Sequence, residues 1–112
     1  MNLKETNHKK AIIIEIEGRL DTTNFSQLEQ KIMQHIDEGR INILVDCSKM
    51  DYVSSSGLRI FLMVLKKITS LNGQFALCGL QENIREIFEI SGFTSIFKIY
   101  DTQEAALADF KE

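Results

Sequence analysis

Proline is absent from all 112 residues, and no low-complexity stretch or internal repeat takes its place as a marker of a linker. The chain therefore reads as one domain spanning residues 1–112, long enough to close a core without staples. Cysteine is scarce. Cys47 and Cys78 stand alone, without CxxC or histidine-rich spacing, each at the end of an apolar run; they read as buried reduced thiols in preference to a disulfide or a metal site. Long hydrophobic runs are lacking too. The longest, Ile60 to Leu65, is far short of the ~20 residues of a bilayer span, which argues against membrane insertion. The first ten residues are polar and show no apolar core of a secretory signal, so a cytoplasmic location is expected. Nor is there an excess of positive charge: 13 Lys and Arg against 16 Asp and Glu leave a net charge of −3. A general nucleic-acid binder would need a cationic field, and no direct contact with nucleic acid is expected.

The chemistry of an enzyme is also missing. The only histidines are His8, near the terminus, and His35, late in a helix, where it reads as a solvated residue. No Gly-x-Ser-x-Gly elbow and no Gly-x-x-x-x-Gly-Lys-Ser/Thr loop occurs. The expectation is a protein that is not an enzyme and has no cofactor and no metal.

What is present is a regular alternation. Ala11 to Glu17 is β-branched and partly alternating, a strand that Gly18 closes. Phe25, Leu28, Ile32 and Ile36 then recur at helical spacing, with Asn24 and Gln27 placed for a variant capping box and Gly39 as the stop. Ile41 to Asp46 is nearly continuous in apolar character, as a central strand covered on both faces would be. Leu58, Phe61, Leu62, Leu65 and Ile68 form a second helical stripe ended by Asn72-Gly73. Gln74 to Cys78 reads as a strand. Glu82 to Ser91 reads as a helix with Ile84, Ile87 and Phe88 facing inward, Ile96 to Tyr100 as a short strand, and Thr102 to Phe110 as a helix begun by Asp101. Leu3 to Thr6 adds a candidate antiparallel edge strand. The fold class is α/β: one mixed, mainly parallel sheet of four to five strands with about four helices.

Between the second strong strand and its helix lies Ser54-Ser55-Ser56-Gly57. In open α/β folds reactive groups collect at the carboxyl ends of strands, and free N–H groups with the helix dipole favour negative charge there. Serine is also a favoured N-cap, so capping alone would account for a serine at this point. No glutamate follows at the capping-box position; Arg59 does.

The stretch Ile43-Leu44-Val45-Asp46-Cys47-Ser48-Lys49-Met50-Asp51-Tyr52-Val53-Ser54-Ser55-Ser56-Gly57-Leu58 resembles the core motif of the STAS family, the domain shared by sulfate transporters and anti-sigma factor antagonists. Glu17-Gly18-Arg19-Leu20-Asp21-Thr22 resembles the family's second motif, a strand end followed by Gly-x-Leu/Ile-Asp. The resemblance implies that Ser56, directly before Gly57, is phosphorylated by an anti-sigma factor that is itself a serine kinase, with Ser55 as second choice. It implies that the unmodified protein binds that kinase, releasing a sigma factor for transcription, and that a serine phosphatase resets it. Asp21 matches a family aspartate close to the phosphorylated serine; a turn-forming or capping carboxylate is its other reading. Ser54 stands where many such antagonists carry an acid. The same fold also resembles scaffolds and accessory subunits of transporters and stress-signalling complexes, which is the alternative reading.

On a helical projection Arg59, Ile60, Met63 and Lys67 fall opposite the stripe of Leu58, Phe61, Leu62 and Leu65. A neighbouring helix or the chain terminus would cover Ile60 and Met63 on one reading; on the other, which is the expectation, Arg59, Ile60 and Met63 form a partner-binding surface beside Ser56.

Overall fold

The computed structural model describes residues 1–112. Five strands form one sheet in the order β1 (Asn2–Asn7), β2 (Ile12–Leu20), β3 (Asn42–Val53), β4 (Gln74–Cys78) and β5 (Lys98–Tyr100). β1 is antiparallel to β2, and every other pair is parallel. The sequence order equals the spatial order, so each parallel neighbour is reached by one helical crossover. Right-handed crossovers between adjacent strands place successive helices on the same face. Accordingly α1 (Phe25–Asp37), α2 (Ser55–Ser70) and α3 (Glu82–Ile90) share one core with Ile12, Ile14, Ile16, Ile43, Val45 and Leu77. The short α4 (Gln103–Asp109) covers the other face through Ala106, against Ile13, Leu44, Ala76 and Cys78.

Covered on both sides, β3 is buried without interruption from Ile43 to Cys47, which explains its unbroken apolar reading. Beyond Cys47 its helix-facing residues are Met50 and Val53, three apart instead of two. The register with β2 supplies the cause. Glu15 pairs with Asp46 but Glu17 with Lys49, and Gly18 pairs with Met50 but Arg19 with Tyr52, so β3 carries one extra residue at each of two bulges. Gly18, with φ +94°, lies at the second bulge, and β2 runs on to Leu20 instead of closing there.

Other boundaries moved for local reasons. Asn24 does not cap α1 with its side chain. Its amide is spent on the preceding turn, accepting from the Asp21 N–H at 2.9 Å and donating to the Arg19 carbonyl at 2.8 Å. Thr102, not Asp101, caps α4, accepting from the Ala105 N–H. Ile87 is more than a third exposed and Ile90 almost wholly so, because α3 buries mainly Ile84 and Phe88.

His35 departs most from its reading as a solvated residue. It is buried beneath β1, with Nε2 2.6 Å from Glu5 Oε1 and Nδ1 3.1 Å from an Arg40 amino group. An arginine can only donate, so Nδ1 accepts and Nε2–H donates to Glu5. The histidine thereby ties the edge strand to the end of α1. Asp46, the other buried polar residue, accepts from the Ser48 N–H and from the Gln103 amide at 2.6 Å, linking β3 to α4.

Both thiols are free and buried. Burial, with Cys78 and Asp46 nearby, pushes the Cys47 pKa well above the usual thiol value. Burial foremost, with Asp46 and more distant carboxylates, raises that of Cys78 to about 12. No helix is long and apolar enough to cross a membrane.

Candidate functional site

The site forms where β2 and β3 leave the sheet together. Leu20 pairs with Val53, and the Ser54 N–H then bonds the Leu20 carbonyl at 2.9 Å. Asp21 and the serine cluster therefore start side by side, from neighbouring strand ends. The first turn of α2 is pressed onto this junction. A Cβ on Gly57 would lie 2.8 Å from Val53 Cγ2 and 2.9 Å from Leu20 Cδ2, closer than side chains approach. Glycine at this position lets the helix start directly over the two strands.

The three serines have different tasks. Ser54 is the N-cap, in extended conformation, and its hydroxyl accepts from the Gly57 N–H at 3.3 Å. Capping thus accounts for Ser54 and leaves Ser55 and Ser56 over. Ser55 is exposed, Ser56 half-buried, and neither hydroxyl is engaged within the chain. The N–H groups of Ser55 and Ser56 are also without acceptors, since the Ser54 amide is taken by Leu20 and the first intrahelical bond runs from the Leu58 N–H to Ser54. Two free donors and the positive end of a 16-residue helix meet at the candidate hydroxyl. Aspartate caps about as well as serine. Ser54 in place of an acid therefore keeps the cap and removes only a charge.

Asp21 is held in a tight turn. Its Oδ1 accepts from the Thr23 hydroxyl at 2.6 Å and the Thr23 N–H at 2.9 Å, and Oδ2 is 3.5 Å from Arg19 Nε. The Thr23 hydroxyl above all, then its amide, hold the carboxyl below its ordinary value; burial opposes them, and Arg19 adds a lesser pull in the lowering direction. Asp21 thus forms the turn after β2 through its bonds to Thr23, and its backbone starts beside the serine cluster.

The expected outer surface needs one correction. Ile60 is buried, at 3% exposure, and packs in the main core. The sheet-facing stripe of α2 is Gly57, Ile60, Phe61, Val64 and Ile68, with Leu58, Leu62 and Leu65 half-buried on its flank. The helix is rotated from the projected phase: in its first turn the residue facing the sheet is Gly57, where even a Cβ would lie 2.8 Å from Val53 and 2.9 Å from Leu20. Arg59 and Met63 do lie on the outside, Met63 at 37% exposure.

One pair at this end escaped the sequence reading. Arg19 lies over the Tyr52 ring, its guanidinium carbon 4.0 Å from the ring centre, and Tyr52 is 40% exposed. The register that makes them neighbours depends on the bulge at Asp51, which no local pattern announces.

A five-stranded mixed sheet with three crossover helices on one face, and a serine-bearing helix start between the ends of its two long strands, defines a mixed α/β domain of the single-sheet class. The STAS domain family model matches residues 2–106, and the chain belongs to that family. It is similar to BtrV of Bordetella bronchiseptica, whose name proposes it as an anti-sigma factor antagonist, with 41% identity over 86% of this chain and 83% of that protein. Among solved structures it is similar to one from Thermotoga maritima whose description proposes it as an anti-sigma factor antagonist, with a TM-score of 0.94, 22% identity and 98% and 95% of the two chains covered. It also resembles the Bacillus cell fate determinant SpoIIAA in its phosphorylated form, with a TM-score of 0.78, 20% identity and 98% and 100% covered.

Proposed function

We propose that this protein is an anti-sigma factor antagonist that binds an anti-sigma factor with serine-kinase activity while unmodified and is released when Ser56 is phosphorylated. The single observation that carries the reading is the division of labour in the cluster: Ser54 caps, and Ser56 keeps a free hydroxyl beside two unused N–H donors. Support also comes from the names of its relatives, BtrV first.

The switch is electrostatic. A phosphate adds about −1.5 to −2 charge at neutral pH. Within the free protein that charge meets N–H donors and a helix N-terminus, so the fold tolerates it without rearrangement. In the complex the same charge lies inside the partner's footprint, with the Asp21 carboxylate starting from the neighbouring strand end. A loss of ~3 kcal/mol there weakens binding by about two orders of magnitude. Arg59 and Met63 form the rest of the α2 contact, a charged rim beside an exposed apolar side chain. A serine phosphatase returns the protein to its binding form.

The test is incubation with the cognate anti-sigma factor and ATP, followed by mass mapping. Phosphate on Ser56, absent from Ser56→Ala, is the expected result. No label, together with an unaltered affinity of Ser56→Glu for that anti-sigma factor, would leave the scaffold role instead.

A further inference from the structure

Beside the α2 surface, at the ends of β2 and β3, a second feature is built for recognition. Arg19 and Tyr52 face each other in register, one pair before Leu20 and Val53, and the chain then reaches Ser54. The bulge at Asp51 and the positive φ of Gly18 bring the two side chains onto the same spot. The guanidinium has two neighbours that restrain it: the Tyr52 ring, whose centre lies 4.0 Å from its central carbon, and the Asp21 carboxylate, whose Oδ2 forms an ion pair with Nε at 3.5 Å. Asp21 is in turn immobilised by Thr23. Yet the side chain is 60% exposed, and its two terminal amino groups meet no acceptor in the chain. A planar fork of donors, oriented by a ring and a carboxylate and left open to solvent, is pre-organised for bidentate contact with an anionic group. Its ordering is already part of the fold, so a partner need not supply it. Exposed arginine and tyrosine are moreover the residue types on which interfaces concentrate their binding energy.

We infer that Arg19, stacked on Tyr52, receives a carboxylate side chain of the anti-sigma factor and anchors the complex on the strand side of Ser56. This rests on the proposed function for the identity of the partner, and it extends the interface from α2 onto β2 and β3. It also gives Asp21 a task in the unmodified protein: orienting Arg19. The same chemistry could serve a phosphate on Ser56 of this chain, and the experiment separates the two.

Affinity for the cognate anti-sigma factor is measured by calorimetry for the wild type, Arg19→Ala, Arg19→Lys, Tyr52→Ala, Tyr52→Phe, the Arg19→Ala/Tyr52→Ala double variant and Ser56→Glu, and again for the wild type and Arg19→Ala after phosphorylation of Ser56. Circular dichroism verifies that each is folded. Arg19→Ala is expected to weaken binding about 30-fold, and Arg19→Lys nearly as much, because an ammonium neither stacks nor forks. Tyr52→Phe keeps the ring and binds like the wild type. Tyr52→Ala is weakened, and the double variant is little worse than Arg19→Ala alone, since both remove one contact. Wild-type affinity in Arg19→Ala and Tyr52→Ala, with Ser56→Glu still weakened, overturns the inference and leaves the proposed function standing. An effect of Arg19→Ala confined to the phosphorylated protein assigns the fork to the phosphate and likewise overturns it. If the wild type does not bind the anti-sigma factor at all, both fall.

Discussion

Replacing Gly57 by alanine tests the idea that the serine-bearing helix is pressed onto the strand ends. The added methyl would sit 2.8 Å from Val53 Cγ2 and 2.9 Å from both Leu20 Cγ and Cδ2. Leu20 is fully buried and Val53 nearly so, which leaves neither side chain room to withdraw. Restoring ordinary contact therefore requires the first turn of α2 to lift by roughly half an ångström, an overpacking cost of about 1–3 kcal/mol. Alanine's better helix propensity returns less than about 1 kcal/mol at a helix end. Lifting the turn also stretches the Ser54 cap, already 3.3 Å long. The net expectation is a loss of about 1–2 kcal/mol, or a fall in Tm of about 5–10 °C, measured by thermal and urea denaturation followed by circular dichroism. Val53→Ala removes one of the two obstacles. The Gly57→Ala/Val53→Ala double variant should be more stable than the sum of the single effects by about 1 kcal/mol. Strict additivity, or a Gly57→Ala protein as stable as the wild type, would refute the reasoning.

Further expectations follow from the same geometry. Ile60→Ala should cost about 2–5 kcal/mol in urea denaturation, whereas Met63→Ala should stay within about 0.5 kcal/mol; equal effects would restore the original phase of α2. Ser54→Ala should lose about 1 kcal/mol of cap energy, and Ser54→Asp should keep it. Cys78 has its pKa raised from 9.0 to about 12, so the unfolded chain gives up this proton before the folded one does. Its contribution to stability is therefore intact below pH 9 and is lost as pH rises toward 12. An alkaline unfolding transition that Cys78→Ala relieves, and slow alkylation of both thiols in the native protein at pH 8, are the outcomes to look for.

Much of this architecture was legible because its elements are consistent with their neighbours. Ile41 to Asp46 announces a strand buried on both faces, and Gln74 to Cys78 was read with the bounds it has in the structure. Gly39 stops α1, with the Arg40 N–H returning to the His35 carbonyl and the Gly39 N–H to that of Ile36. The serine cluster was placed by the same logic, at a helix start after a central strand. What could not be read depends on distance in the chain. Half of α2's sixteen residues are apolar, so two stripes compete, and contact of Gly57 with Leu20 and Val53 decides between them. Ile60 was misplaced for that reason. His35 lies on the same helical stripe as Leu28, Ile32 and Ile36, but its partner Glu5 comes from an edge strand thirty residues earlier. The Arg19–Tyr52 stack needs a bulge, and bulges are settled by the register of two strands and not by either alone.

The most direct test of the switch is a pair of calorimetric titrations of the cognate anti-sigma factor, one with the unmodified protein and one with the protein phosphorylated on Ser56, alongside backbone amide NMR spectra of both forms. The expected result is a loss of affinity of about a hundredfold, with shifts confined to residues 19–24 and 52–60. Equal affinities, or a spectrum altered throughout the sheet, would contradict a local electrostatic switch at Ser56.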